Sequence, residues 1–198
     1  MDLAFLVRPL AGAAGPAAAL ALGSFVAAMV TAGEDDLDTS PLATASSALL
    51  LVALFGIAGT AMAALARMRE GGRGIGGVAV AVVGTVLVAG GTWTALFVMP
   101  ALAAEAPEVL DGELAGIVVG YVASYLVFTV GWVWTGVALT RAGIVPRWLG
   151  VLVAVGGVLA FVPSPEPVRL LVIGVAASLL ARHLTAPATT RTPEPAVV

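Results

Sequence analysis

The stretch GIGGVAVAVVGTVLVAGGTWTALFVMPALAA (residues 74–104) contains no charged residue. A helix needs about 20 apolar residues to cross the hydrocarbon core of a bilayer. The stretch is therefore long enough to span a membrane as one helix, even with some tilt. It decides the class of fold, because an element of this kind has to be solvated by lipid.

The composition of the whole chain points the same way. Of 198 residues, 60% are hydrophobic and only 11% are charged, whereas soluble domains carry roughly 25% charged residues. So few charges cannot cover the surface of a water-soluble fold. The chain also has no cysteine and no lysine, which excludes disulfides, thiolate metal sites and Schiff-base chemistry. Its single histidine, His183, cannot supply both axial ligands of a haem, and we expect no cofactor.

Further charge-free stretches before and after residues 74–104 predict an all-α, polytopic membrane protein with six transmembrane helices. We expect residues 1–8 to be a cytoplasmic N-terminus and residues 185–198 (TAPATTRTPEPAVV) to be a disordered cytoplasmic tail. The last two spans are close to the lower length limit for crossing a bilayer. The predicted spans are residues 9–32, 43–66, 76–102, 114–140, 147–163 and 168–184.

The distribution of charge predicts the orientation. With both termini in the cytoplasm, eight of the nine arginines fall on inner segments and nine of the twelve acidic residues fall on outer loops. Arginine and lysine are enriched on the cytoplasmic side of membrane proteins. The helices should therefore form three up-down hairpins.

An acidic cluster, GEDDLDTSP (residues 33–41), follows the first predicted span. Asp35, Asp36 and Asp38 are weak candidates for a metal site, but Mg²⁺ requires octahedral oxygen ligands drawn from more than one element. The cluster also lies on the outer side, away from cytoplasmic diphosphate substrates. We therefore expect no metal, and we interpret the cluster as marking the outer side of the membrane. A membrane enzyme that uses these carboxylates is the third functional hypothesis.

The predicted spans contain no ionisable residue away from their ends. Ionisable residues inside a membrane commonly mark proton relays, ion paths or counter-ions. Their expected absence argues against proton-coupled transport and against catalysis within the bilayer.

Aromatic residues are concentrated in the third and fourth spans. Tyr121, Tyr125, Phe128 and Trp132 are spaced i, i+4, i+7 and i+11, which stacks them on one side of a helix. Trp93 and Phe97 form an i, i+4 pair. These six residues predict a pocket for an apolar ligand, or alternatively ordinary helix packing. The expected hydrogen-bond partners of the deep aromatic residues are Thr94, Ser124, Thr129 and Thr135.

The first span carries a ladder of small residues, Ala13, Ala17 and Ala21. Such ladders allow two helix backbones to approach closely, either within one chain or with a partner protein. Pro16 in the same helix and Pro100 in the third span are expected to kink or end their helices, with the freed carbonyls satisfied by neighbours.

Two resemblances follow from particular stretches. GGTWTALFVMPALAAEAPEVLDGELA (90–115) and GWVWTGVALTRAGIVPRWLGVLVAVGGVLAFVP (131–163) resemble small multi-span membrane proteins of high-GC actinobacteria. That resemblance implies a bacterial plasma-membrane protein and no particular activity. The alanine ladder is similar to that of the substrate-binding subunits of energy-coupling-factor transporters, which implies a partner docked on Ala13, Ala17 and Ala21.

The leading functional hypothesis is therefore a non-enzymatic membrane protein that binds an apolar, lipid-like molecule or a partner membrane protein. The alternative is a substrate-binding subunit of a small-molecule transporter. The expected partners are the lipid bilayer and one of these ligands, with no nucleic acid.

Overall fold

A computed structural model of the protein describes residues 3–33, 37, 40–106 and 115–185. Within these ranges the regular secondary structure is entirely helical, which confirms the predicted all-α class. The six helices in chain order are α1 (Leu3–Ala32), α2 (Pro41–Glu70), α3 (Gly76–Glu105), α4 (Ala115–Arg141), α5 (Arg147–Leu159) and α6 (Glu166–Thr185).

In the described part of the chain, every helix except α5 is long and apolar enough to cross a membrane. This is compatible with the predicted integral membrane protein. Helix α5 has only 13 residues, which corresponds to about 20 Å, whereas the hydrocarbon core of a bilayer is about 30 Å thick. The count of six complete spans therefore stays a prediction.

Helices α2 to α6 form a ring. Each of them packs against the next along the chain, and α6 packs back against α2. Helix α1 packs against both α2 and α6, on the outside of the ring. The largest fully buried side chains, Trp132 and Phe128, both come from α4.

Small residues bring α1 close to its two neighbours. A Cβ atom added at Gly56 of α2 would lie 2.8 Å from the Ala14 Cβ, and one added at Gly174 of α6 would lie 2.8 Å from the Ala18 Cβ. Both distances are too short for a normal contact, so a larger residue would force α1 away. Helix association in a membrane depends on such close packing, because lipid tails are as apolar as the side chains.

Helix α1 continues through Pro16, which has no backbone N–H to donate to the carbonyl of Gly12. The Ser178 hydroxyl of α6 donates to that carbonyl at 3.2 Å and accepts the backbone N–H of Gly15 at 2.7 Å. A neighbouring helix therefore satisfies the freed carbonyl, as expected from the sequence.

The hairpin formed by α5 and α6 is short. Its turn, residues 160–165, lies beside the middle of the longer helices: Thr129 of α4 donates to the carbonyl of Gly157 at 2.9 Å. The first residue of α6, Glu166, contacts Thr92, near the middle of α3. The ends of α3 at Glu105 and of α4 at Ala115, which we call the outer ends, therefore extend beyond this hairpin.

Helices α3 and α4 pack tightly at their inner halves and separate at their outer halves. A Cβ added at Gly84 of α3 would lie 2.4 Å from the backbone of Phe128, and one added at Gly131 of α4 would lie 2.3 Å from the backbone of Ala81. In contrast, a Cβ added at Gly91 of α3 or at Gly120 of α4 meets no atom within 4 Å. The two helices therefore diverge towards the outer side and leave a cleft between them.

Candidate ligand-binding cleft

The cleft between the outer halves of α3 and α4 has a volume of about 400 Å³. Its walls are formed by α3 between Leu87 and Met99 and by α4 between Ile117 and Tyr125, and Glu166 of α6 closes its inner end. Leu87, Ile117 and Tyr121 are exposed in the isolated chain. In a membrane, the cleft would therefore open sideways towards the surrounding lipid.

Two hydroxyl groups fix the Glu166 carboxylate at the floor of the cleft. Tyr125 Oη donates to Glu166 Oε1 at 2.8 Å, and Thr92 Oγ1 donates to the same oxygen at 2.9 Å. The two donors come from α4 and α3, so the carboxylate joins three helices at one point. No hydrogen bond from a described residue reaches Glu166 Oε2.

Arg169, one turn further along α6, interacts with the tyrosines. Its Cζ lies 4.5 Å from the ring centroid of Tyr125 and 5.4 Å from that of Tyr121, within the range of a cation–π interaction. Its Nη2 also donates to the hydroxyl of Tyr121. Arg169 and Glu166 do not form an ion pair, since the only one among the described residues joins Arg67 to Glu70.

The expectation that ionisable residues lie only at the ends of the spans holds for Glu166 and Arg169 within their own helix, but not relative to the neighbouring helices. Both are at the start of their own helix, but Thr92 lies more than three turns from the outer end of α3, about 20 Å along the axis. The pattern of charges along the chain does not show how far along its neighbours each turn lies. It therefore misses these residues, because the short α5–α6 hairpin ends beside the middle of its neighbours. The marginal length of the predicted span 147–163 is the signal in the sequence that could have revealed them.

The aromatic stack predicted on one side of α4 is present. Adjacent ring centroids along Tyr121, Tyr125, Phe128 and Trp132 are 4.8, 6.4 and 6.2 Å apart. The stack is divided between two environments, because Tyr121 and Tyr125 line the cleft whereas Phe128 and Trp132 are fully buried in the core. Of the six predicted ligand-binding residues, only these two tyrosines line the cleft.

The predicted hydrogen-bond partners of the deep aromatic residues are wrong. Trp132 Nε1 donates to Thr85 Oγ1 of α3 at 3.1 Å, and Tyr125 donates to Glu166. The proposed partners Thr94 and Ser124 instead bond carbonyls of their own helices. Thr129 bonds Gly157 of α5, and the buried hydroxyl of Thr135 has no partner among the described residues.

The remaining aromatic pair, Trp93 and Phe97, lies on another face of α3. The two rings are 5.5 Å apart, and the side chains are 50% and 55% exposed. Trp93 borders a shallow apolar groove between α2 and α3. The structure does not bring this pair together with the tyrosines of the cleft.

The alanine ladder of α1 is mostly covered by the chain itself. Ala17 and Ala21 are buried, and Ala13 is partly buried. In this structure the ladder serves the packing of α1 on α2 and α6, and its use by a partner protein stays a prediction. The metal candidates Asp35, Asp36 and Asp38 lie outside the described residues.

Comparisons of the chain with protein families, with curated proteins and with solved structures gave no match. The functional argument therefore rests on the geometry of the cleft.

Proposed function

We propose that this protein is a non-enzymatic integral membrane protein that binds a lipid-like molecule in the cleft between α3 and α4. The observation that carries the proposal is the cleft itself, a cavity of about 400 Å³ with apolar walls and a polar floor. Binding sites for small molecules are concave, mostly apolar and equipped with a few convergent polar groups, with typical volumes of roughly 300–1,000 Å³.

The arrangement of polar and apolar groups favours an amphiphile. Glu166, Tyr125 and Thr92 are at the inner end of the cleft, whereas the walls carry residues such as Leu87 and Ile117. The hydroxyls of Thr94 and Ser124 bond carbonyls of their own helices, so the walls offer little to a polar ligand. A ligand with one polar end and an apolar body would satisfy both parts of the cleft.

The position of Glu166 and Arg169 supports a functional role for this floor. Ionisable residues at membrane depth are costly, and they commonly mark substrate paths or ligand counter-ions. The cluster therefore favours a site over a purely structural contact.

Native mass spectrometry of the protein in lipid nanodiscs tests the proposal with a matched pair of variants. Gly91→Leu places a side chain inside the cleft, whereas Gly90→Leu places the same side chain in the groove between α2 and α3. Neither added Cβ meets an atom within 4 Å, so both variants should fold. We expect one species bound at fixed stoichiometry to wild type and Gly90→Leu, and absent from Gly91→Leu.

A species that is retained equally by both variants would place its binding outside the cleft and contradict the proposal. Bulk phospholipid alone on the wild type, with no species at fixed stoichiometry, would contradict it as well.

A second candidate function is a substrate-binding subunit of a transporter. The observation that favours it is the charged cluster at membrane depth, which resembles the polar sites of transport proteins. Affinity purification from the native membrane should then recover ATPase subunits, and their repeated absence would exclude this function. For either candidate we propose the bacterial plasma membrane as the location, with both termini in the cytoplasm, because this orientation agrees with the distribution of arginine.

A further inference from the structure

We infer that the ligand of the α3–α4 cleft carries a protonated amine that pairs with the carboxylate of Glu166. This inference rests on the proposed function and specifies the chemical class of its ligand, an amphiphilic amine.

Among the described residues that line the cleft, Glu166 is the one charged side chain, and its carboxylate is acidic. Arg169 contacts the tyrosine rings but does not border the cavity. A ligand inside the cleft therefore meets a carboxylate and not a guanidinium, which favours a cationic group over a phosphate or a carboxylate.

One oxygen of the Glu166 carboxylate, Oε2, can accept a further hydrogen bond. Both protein hydroxyls, of Tyr125 and Thr92, donate to Oε1, and Oε2 receives no hydrogen bond from a described residue. A carboxylate has two oxygens and about four acceptor positions. An ammonium group can donate to Oε2 without displacing either hydroxyl.

Among the described residues Glu166 has no ion-pair partner, because Arg169, one turn along α6, lies on the tyrosine rings instead. No described basic side chain lies within ion-pair distance of it, and the outer loops 34–39 and 107–114 contain no basic residue. An uncompensated charge in apolar surroundings is unfavourable, whereas a paired one is much less so. A cationic ligand supplies the missing charge.

The apolar walls of the cleft suit the body of the same ligand. The apolar chain of the amine would extend from the carboxylate along Met99 and Ile117 towards the lipid.

Equilibrium binding of two radiolabelled probes to the protein in nanodiscs tests the inference, with empty nanodiscs subtracted. Dodecylamine and dodecanol have the same alkyl chain and differ in one end group, which is charged in the first and neutral in the second. We expect wild type to bind dodecylamine more tightly. Glu166→Gln should weaken the binding of dodecylamine by about tenfold, since a charge-assisted hydrogen bond is lost, and should leave that of dodecanol unchanged.

Glu105→Gln is the matched control, because Glu105 is an exposed carboxylate at the outer end of α3 that does not line the cleft; it should change the binding of neither probe. The glutamine amide oxygen can accept the same two hydroxyl bonds as Glu166, so Glu166→Gln keeps the contact between the three helices. Equal affinities of wild type for the two probes would overturn the inference without recourse to any variant.

Gly91→Leu separates a failure of this inference from a failure of the proposed function. If Gly91→Leu weakens the binding of both probes and Glu166→Gln weakens neither, the cleft binds amphiphiles but does not select amines. If Gly91→Leu leaves both affinities unchanged, the cleft is not the site, and both the function and the inference are overturned.

Discussion

At the scale of single residues, hydrogen bonds between helices determine where the aromatic side chains of α4 can lie. Trp132 is fully buried and donates to Thr85 of α3, and the Thr85 hydroxyl in turn donates to the carbonyl of Ala81 at 2.7 Å. This chain of bonds satisfies an indole N–H that would otherwise be unpaired at membrane depth. It assigns Trp132 to the core and leaves Tyr121 and Tyr125 to form the cleft.

The first prediction concerns this bond. Thr85→Val preserves the shape of the side chain but removes the acceptor of the Trp132 N–H. The unpaired donor should lower the free energy of unfolding by about 1 kcal/mol, measured by denaturation in mixed micelles of increasing dodecyl sulfate content. Thr94→Val is the control, since the Thr94 hydroxyl is exposed and bonds only Gly90 of its own helix. Equal stabilities of the two variants would show that the indole bond contributes nothing.

The residue spacing of α4 was sufficient to predict the aromatic stack but not the function of its members. The i, i+4, i+7 and i+11 positions of Tyr121, Tyr125, Phe128 and Trp132 fix one side of a helix. Which end of that side is buried depends on the neighbouring helices. Glu166 lies 41 positions after Tyr125 in the sequence, and no local pattern relates the two residues.

At the scale of helices, glycine determines both the tight contact and the cleft between α3 and α4. Gly84 and Gly131 lie where the backbones touch, whereas Gly91 and Gly120 lie where they have separated. A sequence rich in glycine, with 24 in the chain, does not distinguish these two roles. Close packing by small residues could be predicted in general, but the divergence of the helices could not.

The second prediction compares two glycines of α4. Gly131→Ala would place a Cβ 2.3 Å from the backbone of Ala81, which cannot move as a side chain can. We expect it to destabilise the protein by about 1–3 kcal/mol through overpacking, or to force α3 and α4 apart. Gly120→Ala meets open space and should be neutral or stabilising, because alanine favours a helix by up to about 1 kcal/mol over glycine.

Thermal unfolding of the two variants in the same detergent measures this difference. An equal or smaller loss of stability for Gly131→Ala than for Gly120→Ala would mean that the helices are not in contact at Gly131. That result would also contradict the inference that α3 and α4 touch at their inner halves and diverge to form the cleft.

At the scale of the whole molecule, unequal hairpin lengths create the candidate site. The charge-free stretches correctly indicated an all-α chain with helices suited to a membrane, because lipid solvation is visible in composition. They did not show the depth at which each turn lies. Helix α5 has 13 residues whereas α3 has 30, so the α5–α6 turn ends part-way along α3. This mismatch brings Glu166 and Arg169 beside Thr92 and Tyr125 and leaves the outer halves of α3 and α4 uncovered.

The depth of the α5–α6 turn gives the last prediction, which the natural absence of cysteine makes directly measurable. Three single-cysteine variants are compared with a charged, membrane-impermeant maleimide: Ser164→Cys in this turn, Glu105→Cys at the outer end of α3 and Arg73→Cys in the inner turn after α2. With both termini in the cytoplasm, Glu105→Cys should react in intact cells, and Arg73→Cys only after permeabilisation. Ser164 is partly exposed in the described part of the chain, and we expect lipid to shield it from the reagent.

Ser164→Cys should therefore react more than about tenfold more slowly than Glu105→Cys, both in intact and in permeabilised cells. The reason is that maleimide reacts with the thiolate, which forms in water and not in apolar surroundings. Denaturation in dodecyl sulfate should make all three variants equally reactive, which shows that each thiol is intact. A reaction of Ser164→Cys in intact cells as fast as that of Glu105→Cys would mean that outer water reaches the turn. Glu166 would then lie at an aqueous surface. The proposed ion pair between Glu166 and an amine would be weak there, because water screens the attraction between the two charges.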